Sequence, residues 1–284
     1  MILGRYLRGV RVPASLARTW ALEGEWLEAL PELAAACACE WGLALEEPIE
    51  TPHSLVVPAG EAVLKVNAPR HDEAEREADA LAVWSGEGAV QLLARDDERR
   101  ALLVERCRPG TPLWDDDDAD ETTVIAGLLP RLQVPVAAGH PFELLADGAA
   151  RWAVEVPRRY AEAGKPFERT LLDAAVDVYR TVDRSAPHLV NQDLHGGNVL
   201  RAEREPWLVI DPKPLVGERE LEATGPLRNA RSVSHLLDVL ADLGLDRERA
   251  RGWGVAHNLA WAWDEHGGWL EQHVEEARRI LNAR

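Results

Sequence analysis

The sequence is poor in cysteine. Cys37, Cys39 and Cys107 are an odd set, and two of them lie one residue apart in a helical pattern. That fits neither a disulfide framework nor a zinc knuckle, and reduced thiols are the expectation. No other His, Cys or Asp grouping has zinc-ligand spacing. Long hydrophobic runs are also missing: none approaches the roughly 20 residues that span a bilayer. The opening MILGRYLRGVRVPASLARTW lacks the apolar core and small-residue cleavage site of a secretory signal, so a soluble, cytoplasmic chain is expected. Basic side chains are scarce, 32 against 49 acidic ones, for a formal net charge of −17. This argues against nucleic acid or a membrane as partner and is compatible with a cationic small molecule, although an acidic surface also simply keeps a protein dispersed. No obligate protein partner is predicted. Ser185, Ser232 and Ser234 have no Gly-x-Ser-x-Gly setting, which leaves hydrolase chemistry without support.

What is present is enough apolar material for a sizeable core, 46% of 284 residues, and a change of periodicity along the chain. A short helix is predicted after Pro13, and a longer one over Glu25–Trp41 with a break or new first turn at Pro31. LALEEPI, SLVV and AVLKV read as three strands. A helix is predicted over His71–Ser85, then a hairpin of VQLLA (90–94) and ALLVERC (101–107) around a charged turn. RPGTPL at 108–113 is stiff and turn-forming and marks a boundary. Beyond it the pattern is helical: Val124–Val134 behind a run of acids, then Asp147–Ala163, Phe167–Ser185, Ser232–Leu243, Arg247–Glu265 and Gly268–Leu281. A short hairpin around 198–210 interrupts these helices. The expected class is α+β in two lobes: a sheet-rich N-terminal lobe over 1–107 and a larger helical C-terminal lobe over 108–284. A cleft between lobes is a common place to bind a nucleotide.

The organising stretch is PHLVNQDLHGGNVL at 187–200, followed by WLVIDP at 207–212. Asp193 and Asn198 have the spacing Asp-x-x-x-x-Asn, and Asp211 closes an apolar run. Phosphoryl transfer needs one carboxylate to orient the attacking hydroxyl, and an amide plus a second carboxylate to hold magnesium on the phosphates. On that spacing Asp193 is the candidate catalytic residue, and Asn198 and Asp211 the candidate metal ligands. Each alone is an ordinary turn or strand-end residue; their order around an apolar hairpin favours the site. Lys65 in AVLKV, opposite Leu64 and Val66 by strand alternation, is the candidate for the nucleotide phosphates. Glu77 is its expected partner, with Glu75 the alternative. A glycine-rich phosphate loop is missing: the segment before SLVV is IETPH, Gly60 suits a turn, and Ser54 is left as a possible phosphate donor. His195 is assigned a structural role in the loop. Eleven tryptophans outnumber two phenylalanines and three tyrosines. Trp253, Trp261, Trp263 and Trp269, near Asp264, Glu265 and His266, suit either a core or a cation-receiving wall.

With these residues in view, the chain resembles the aminoglycoside phosphotransferase superfamily, and within it the streptomycin 6-kinase and hydroxyurea-kinase group. VPASLARTWALEGEWLEALP, AVLKV, EREADALAVWSGEGAVQLL, ALLVERCRPGTPL, NVLRAEREPWLVIDPKPLVGE and the LRN at 227–229 carry the likeness, in the same order over nearly the whole chain. The resemblance implies a protein-kinase-like bilobal fold using ATP (or GTP) and Mg, with Glu105–Cys107 as the hinge whose backbone reads the nucleobase. It also implies phosphorylation of a small-molecule hydroxyl on a cationic aminocyclitol such as streptomycin. Asn191-Gln192 stands where the family usually carries His-Gly, and Gly196 where it carries Pro. A second reading of the same residues is a kinase-like protein that binds a nucleotide or small ligand with little turnover, or a kinase for a different metabolite.

Overall fold

The computed structural model describes residues 10–71, 75–264 and 267–283. The chain divides into two compact units: Met1–Gly110 with Arg201–Leu208, and Thr111–Leu200 with Val209–Arg284.

In the first unit, helices α1 (Ala14–Thr19) and α2 (Gly24–Trp41) precede strands β1 (Ser54–Ala59) and β2 (Ala62–Asn67). Helix α3 (Glu77–Trp84) and the hairpin of β3 (Leu92–Asp96) and β4 (Ala101–Glu105) complete it. The sheet order is β1-β2-β4-β3, antiparallel throughout. Leu55, Val57, Leu64, Val66 and Ala101 point to one face and pack with Leu16, Leu30, Ala34 and Cys37. Strand alternation turns Lys65 to the other face. Helix α2 runs straight through Pro31, against expectation. Leu30, Ala34, Cys37 and Ala38 are buried on both sides of the proline, and that shared apolar face outweighs one lost helical hydrogen bond. The strand expected over 43–49 does not form. Only Glu46 N–H to Pro58 O (2.8 Å) and Ile49 N–H to Val56 O (2.9 Å) tie it to β1, and Pro48 has no amide to continue the ladder. The helix predicted from His71 starts at Glu77, and the His71 carbonyl accepts from Arg100 Nη2 at 3.0 Å. Ala74, expected on its face, lies outside the described residues.

The second unit is mainly helical: α4 (Glu121–Leu132), α5 (Leu145–Glu162), α6 (Arg169–Arg180), α7 (Thr224–Asn229), α8 (Val233–Asp242), α9 (Arg247–Trp261) and α10 (Glu271–Leu281). Asp120 caps α4 by accepting from Thr123 N–H at 2.9 Å, which gives the acidic run a structural use. Strand β5 (His188–Asn191) pairs antiparallel with β8 (Pro214–Gly217), a strand the sequence pattern did not announce. Strands β6 (Val199–Arg201) and β7 (Trp207–Val209) form the expected short hairpin, whose outer part, Arg201–Leu208, groups with the first unit. Helix α9 is buried from Trp253 to Ala260 and ends at Trp261 rather than Glu265, which itself lies outside the described residues. Among the described residues no helix is long and apolar enough to cross a membrane. Cys37, Cys39 and Cys107 are free thiols.

Helix α7 approaches the loop after β5 closely enough to require glycine. A Cβ on Gly225 would lie 1.9 Å from the Leu194 carbonyl oxygen. Both partners are backbone, so neither moves without moving an element. Gly225→Ala is therefore expected to cost about 3 kcal/mol or more, at the upper end for overpacking, read as a lower urea midpoint. A midpoint unchanged from wild type would contradict the close approach.

Candidate active site

In the first unit, Lys65 Nζ lies 2.7 Å from Glu77 Oε2, with the residues 7% and 2% exposed. Asn67 Nδ2 donates to the same carboxylate oxygen at 3.3 Å, and Asn67 Oδ1 accepts from Ser54 Oγ at 2.6 Å. Ser54 is thereby committed to bracing Asn67 and is not a phosphate donor. Glu75 pairs with Arg76 at 3.3 Å, which leaves Glu77 as the carboxylate beside the lysine. Gly60, at φ 65°, makes the turn between β1 and β2. The Glu105 carboxylate receives Arg204 Nε and Nη2 at 2.9 Å each and Gln91 N–H at 3.1 Å. Arg204 also donates to the Gly86 and Ala89 carbonyls at 2.8 and 2.9 Å. The Glu105 side chain therefore anchors the tip of the β6–β7 hairpin. Burial pushes the Cys107 thiol up to about 12, so it stays protonated and unreactive.

In the second unit the organising group is the Asn191 side chain, which is fully buried. Asn191 stands opposite Pro214 at the end of the β5–β8 ladder, where proline has no amide to offer. Its Oδ1 accepts from Asp193 N–H at 3.1 Å and from Lys213 N–H at 3.0 Å, and Gln192 N–H reaches the Lys213 carbonyl at 3.1 Å. One amide oxygen thus clamps the two strand exits together. The Asn191 backbone N–H donates to Glu222 Oε1 at 2.8 Å.

The clamp brings the side chains of Asp193 and Lys213 face to face, with Nζ 3.2 Å from Asp193 Oδ2. Asn198 Nδ2 donates to the Asp193 carbonyl at 3.1 Å and lies 3.4 Å from Oδ2. His195 Nδ1 accepts from Gly197 N–H at 3.1 Å, and its ring stacks on Trp114 at 5.2 Å between centroids. Its Nε2 is 3.6 Å from Asp193 Oδ1 and 3.2 Å from Asn198 Nδ2. Burial depresses its pKa, so the ring is a neutral brace within the loop. Trp114 needs glycine beneath it: a Cβ on Gly197 would lie 2.4 Å from its ring. Ile210 N–H donates to the Asn198 carbonyl at 2.9 Å, which holds Asp211 beside Asn198 across the hairpin base. Asp211 itself has φ 49°, a left-handed strain that Asp tolerates and that recurs at working sites.

The donor set fits magnesium. An amide oxygen and a carboxylate suit a hard cation that takes one or two carboxylates and completes its shell with phosphates and water. Among the described residues no group of three or more His, Cys, Asp or Glu could hold a metal by themselves. The tryptophan wall is divided. Trp253 is core, its Nε1–H donating to Glu218 Oε2 at 2.6 Å, while Trp263 and Trp269 pack edge to face at 5.4 Å. Trp261 carries the protein's own cations, Lys213 Nζ at 4.9 Å and Arg228 Cζ at 5.8 Å from the ring centroid. Lys213, Glu222 and Arg228 are site residues that sequence reasoning missed. Lys213 and Arg228 stood in quoted motifs (DPKPL, LRN), but nothing local tells a buried charge from a solvated one.

Burial raises Glu222 from 4.5 to about 8. Between those values the folded chain binds a proton that the unfolded chain does not, so ionisation opposes folding and stability falls as pH rises. Glu222→Gln keeps an oxygen for Asn191 N–H without the ionisation. Across pH 5 to 8 wild type is expected to lose stability relative to Glu222→Gln, by roughly 1.4 kcal/mol per unit at its steepest, read from urea midpoints. Parallel pH profiles would show that Glu222 is already ionised in the fold.

The family model described as aminoglycoside/hydroxyurea antibiotic resistance kinase matches residues 44–268. The chain is 37% identical to streptomycin 6-kinase of Streptomyces glaucescens over 277 residues, 90% of each chain. It is also 37% identical to hydroxyurea phosphotransferase of Kitasatospora aureofaciens, over 89% of this chain and 80% of that one. Among solved structures, the choline kinase LicA of Streptococcus pneumoniae superposes with a TM-score of 0.61 at 10% identity, covering 89% of this chain and 98% of its own. The macrolide 2'-phosphotransferase MphH of Brachybacterium faecium gives 0.56 at 16% identity, covering 88% and 97%. These likenesses show a protein-kinase-like α+β fold, and kinase relatives of this identity make the protein a nucleotide-using phosphotransferase. The chain belongs to the aminoglycoside/hydroxyurea antibiotic resistance kinase family.

Proposed function

We propose that the protein transfers the γ-phosphoryl group of ATP, with magnesium, to a hydroxyl of a cationic aminocyclitol such as streptomycin. The observation that carries this reading is the convergence of Asp193 and Asn198, on one braced loop, with Lys213 from the neighbouring strand exit: Lys213 lies 3.2 Å and Asn198 3.4 Å from the Asp193 carboxylate. In this role Asp193 accepts the hydrogen bond of the substrate hydroxyl and aligns it on the phosphorus, taking its proton as the bond forms. Lys65, held by Glu77, pairs the nucleotide phosphates. Asn198 and Asp211 are the oxygens that would hold magnesium, which supplies charge neutralisation on the phosphates. The backbone around Glu105 and Cys107 is assigned to the nucleobase. The aminocyclitol acceptor rests on the likeness to streptomycin 6-kinases, and the acidic balance of −17 suits a cationic substrate. Hydroxyurea is a second acceptor to weigh, because a hydroxyurea phosphotransferase stands at the same 37% identity.

The test is ADP release coupled to mass detection of a phosphorylated acceptor, with streptomycin, other aminoglycosides and hydroxyurea in the panel. Turnover is expected with streptomycin. No turnover with any acceptor, despite retained nucleotide binding, would overturn the reading. Asp193→Asn is expected to lower kcat by about a thousandfold or more and to leave nucleotide binding intact. Unchanged turnover would remove Asp193 from its role.

A further inference from the structure

Arg228 is a cationic side chain of the second unit whose hydrogen-bonding groups the fold does not satisfy. It lies on α7 and is partly buried, and its Nε and Nη2 are buried atoms that have no hydrogen-bond partner among the described residues. Leaving guanidinium N–H groups buried and unpaired is costly, and a side chain of this length usually escapes to solvent instead. Here it is held in place. Gly225, one turn earlier on α7, sits against the Leu194 carbonyl, so that face of the helix is turned to the Asp193 loop. Trp261 lies under the guanidinium at 5.8 Å, and Arg279 Nη2 fixes the end of α7 through the Leu227 and Arg228 carbonyls at 2.7 and 2.8 Å. The same Trp261 ring carries Lys213 at 4.9 Å, and Lys213 reaches Asp193 at 3.2 Å. The opposing charges that support Arg228 are Asp193 first and Glu276 second.

We propose that Arg228 and Lys213 form an oxyanion cradle that receives the phosphoryl group in transit between nucleotide and acceptor. This rests on the phosphotransferase reading above. In the step, the acceptor oxygen bonds to phosphorus as the bond from phosphorus to the bridging oxygen of ADP breaks. The hydroxyl proton passes to the Asp193 carboxylate, and ADP leaves with the electron pair of the broken bond. Negative charge spreads over the three equatorial oxygens during this exchange, and a planar guanidinium whose Nε–H and Nη2–H groups are still unpaired matches two of them once the phosphoryl group is seated. The lysine ammonium adds a point charge and moves from Asp193 to the phosphoryl group as Asp193 engages the hydroxyl. The cradle also explains why Trp261 is covered by the protein's own cations: its face preorganises them and does not receive the acceptor.

The experiment uses the full chain as wild type, Arg228→Met and Arg228→Lys, each checked by circular dichroism melting. Affinity for Mg·ADP is measured by calorimetry with and without aluminium fluoride, which mimics the planar phosphoryl group, and kcat and KM are measured where an acceptor turns over. Wild type is expected to bind Mg·ADP at least about tenfold tighter with aluminium fluoride. Arg228→Met should lose that tightening with unaltered Mg·ADP affinity, and lower kcat by about a hundredfold or more with acceptor KM within threefold. Arg228→Lys, which keeps the charge but not the planar fork, should recover only part of both and decides the matter if Arg228→Met melts. No fluoride-dependent tightening in wild type, or the same tightening in the variants, would overturn the cradle. If no acceptor turns over but the tightening depends on Arg228, the acceptor reading fails and the cradle stands. Turnover that is insensitive to Arg228 sinks the cradle alone.

Discussion

Everything at the loop that carries Asp193 depends on one buried amide. Asn191 Oδ1 takes the backbone N–H groups of Asp193 and Lys213, at 3.1 and 3.0 Å, where the β5–β8 ladder runs out at Pro214. A sheet ending at proline would leave two strand exits to diverge. The asparagine side chain substitutes for the missing ladder and fixes their separation. Because the group is fully buried, those hydrogen bonds form in a low dielectric without competition from water, which makes the clamp stiff.

The charges around that clamp follow from it. Asp193 and Lys213 are opposite because their backbones are tied together. Asp193 therefore has a cation at 3.2 Å before any substrate arrives. The Trp261 ring attracts Lys213 and Arg228 alike, at 4.9 and 5.8 Å from its centroid. In an acidic protein of net charge −17, Lys213 and Arg228 thus gather at one aromatic ring. Glu222, beneath the clamp, is driven toward its neutral form by burial, so it supports Asn191 without adding negative charge under the loop. The Lys65–Glu77 pair is the opposite device: both charges are kept, buried, with Asn67 as a third partner. Breaking such a pair is costlier than never having built it, so the lysine stays in one geometry.

Much of the fold was legible in short-range pattern. The β3–β4 hairpin, the start of α4 behind a run of acids and the placement of Lys65 opposite Leu64 and Val66 all rest on periodicity or on local sequence. The misreadings have long-range causes. Helix α2 ignores Pro31 because residues on both sides of it share one buried face with the sheet. The 43–49 segment has strand-like composition, but whether it pairs depends on what β1 offers its edge. Strand β8 was invisible because PLVG reads as a turn-former until β5 lies beside it.

By itself the sequence determined which side chains are available for chemistry and their order: a lysine on an alternating strand, and an Asp-x-x-x-x-Asn loop with a second aspartate after a hairpin. These are local spacings, set by the periods of strand and turn. Only the tertiary structure decided their partners. Glu77 rather than Glu75 meets the lysine, Ser54 is spent on Asn67, and Trp261 serves cations of the chain itself. Burial decided the rest. Whether Arg228 and Glu222 are ordinary surface charges or groups stripped of water depends on helices and strands far away in the chain, which no local pattern encodes.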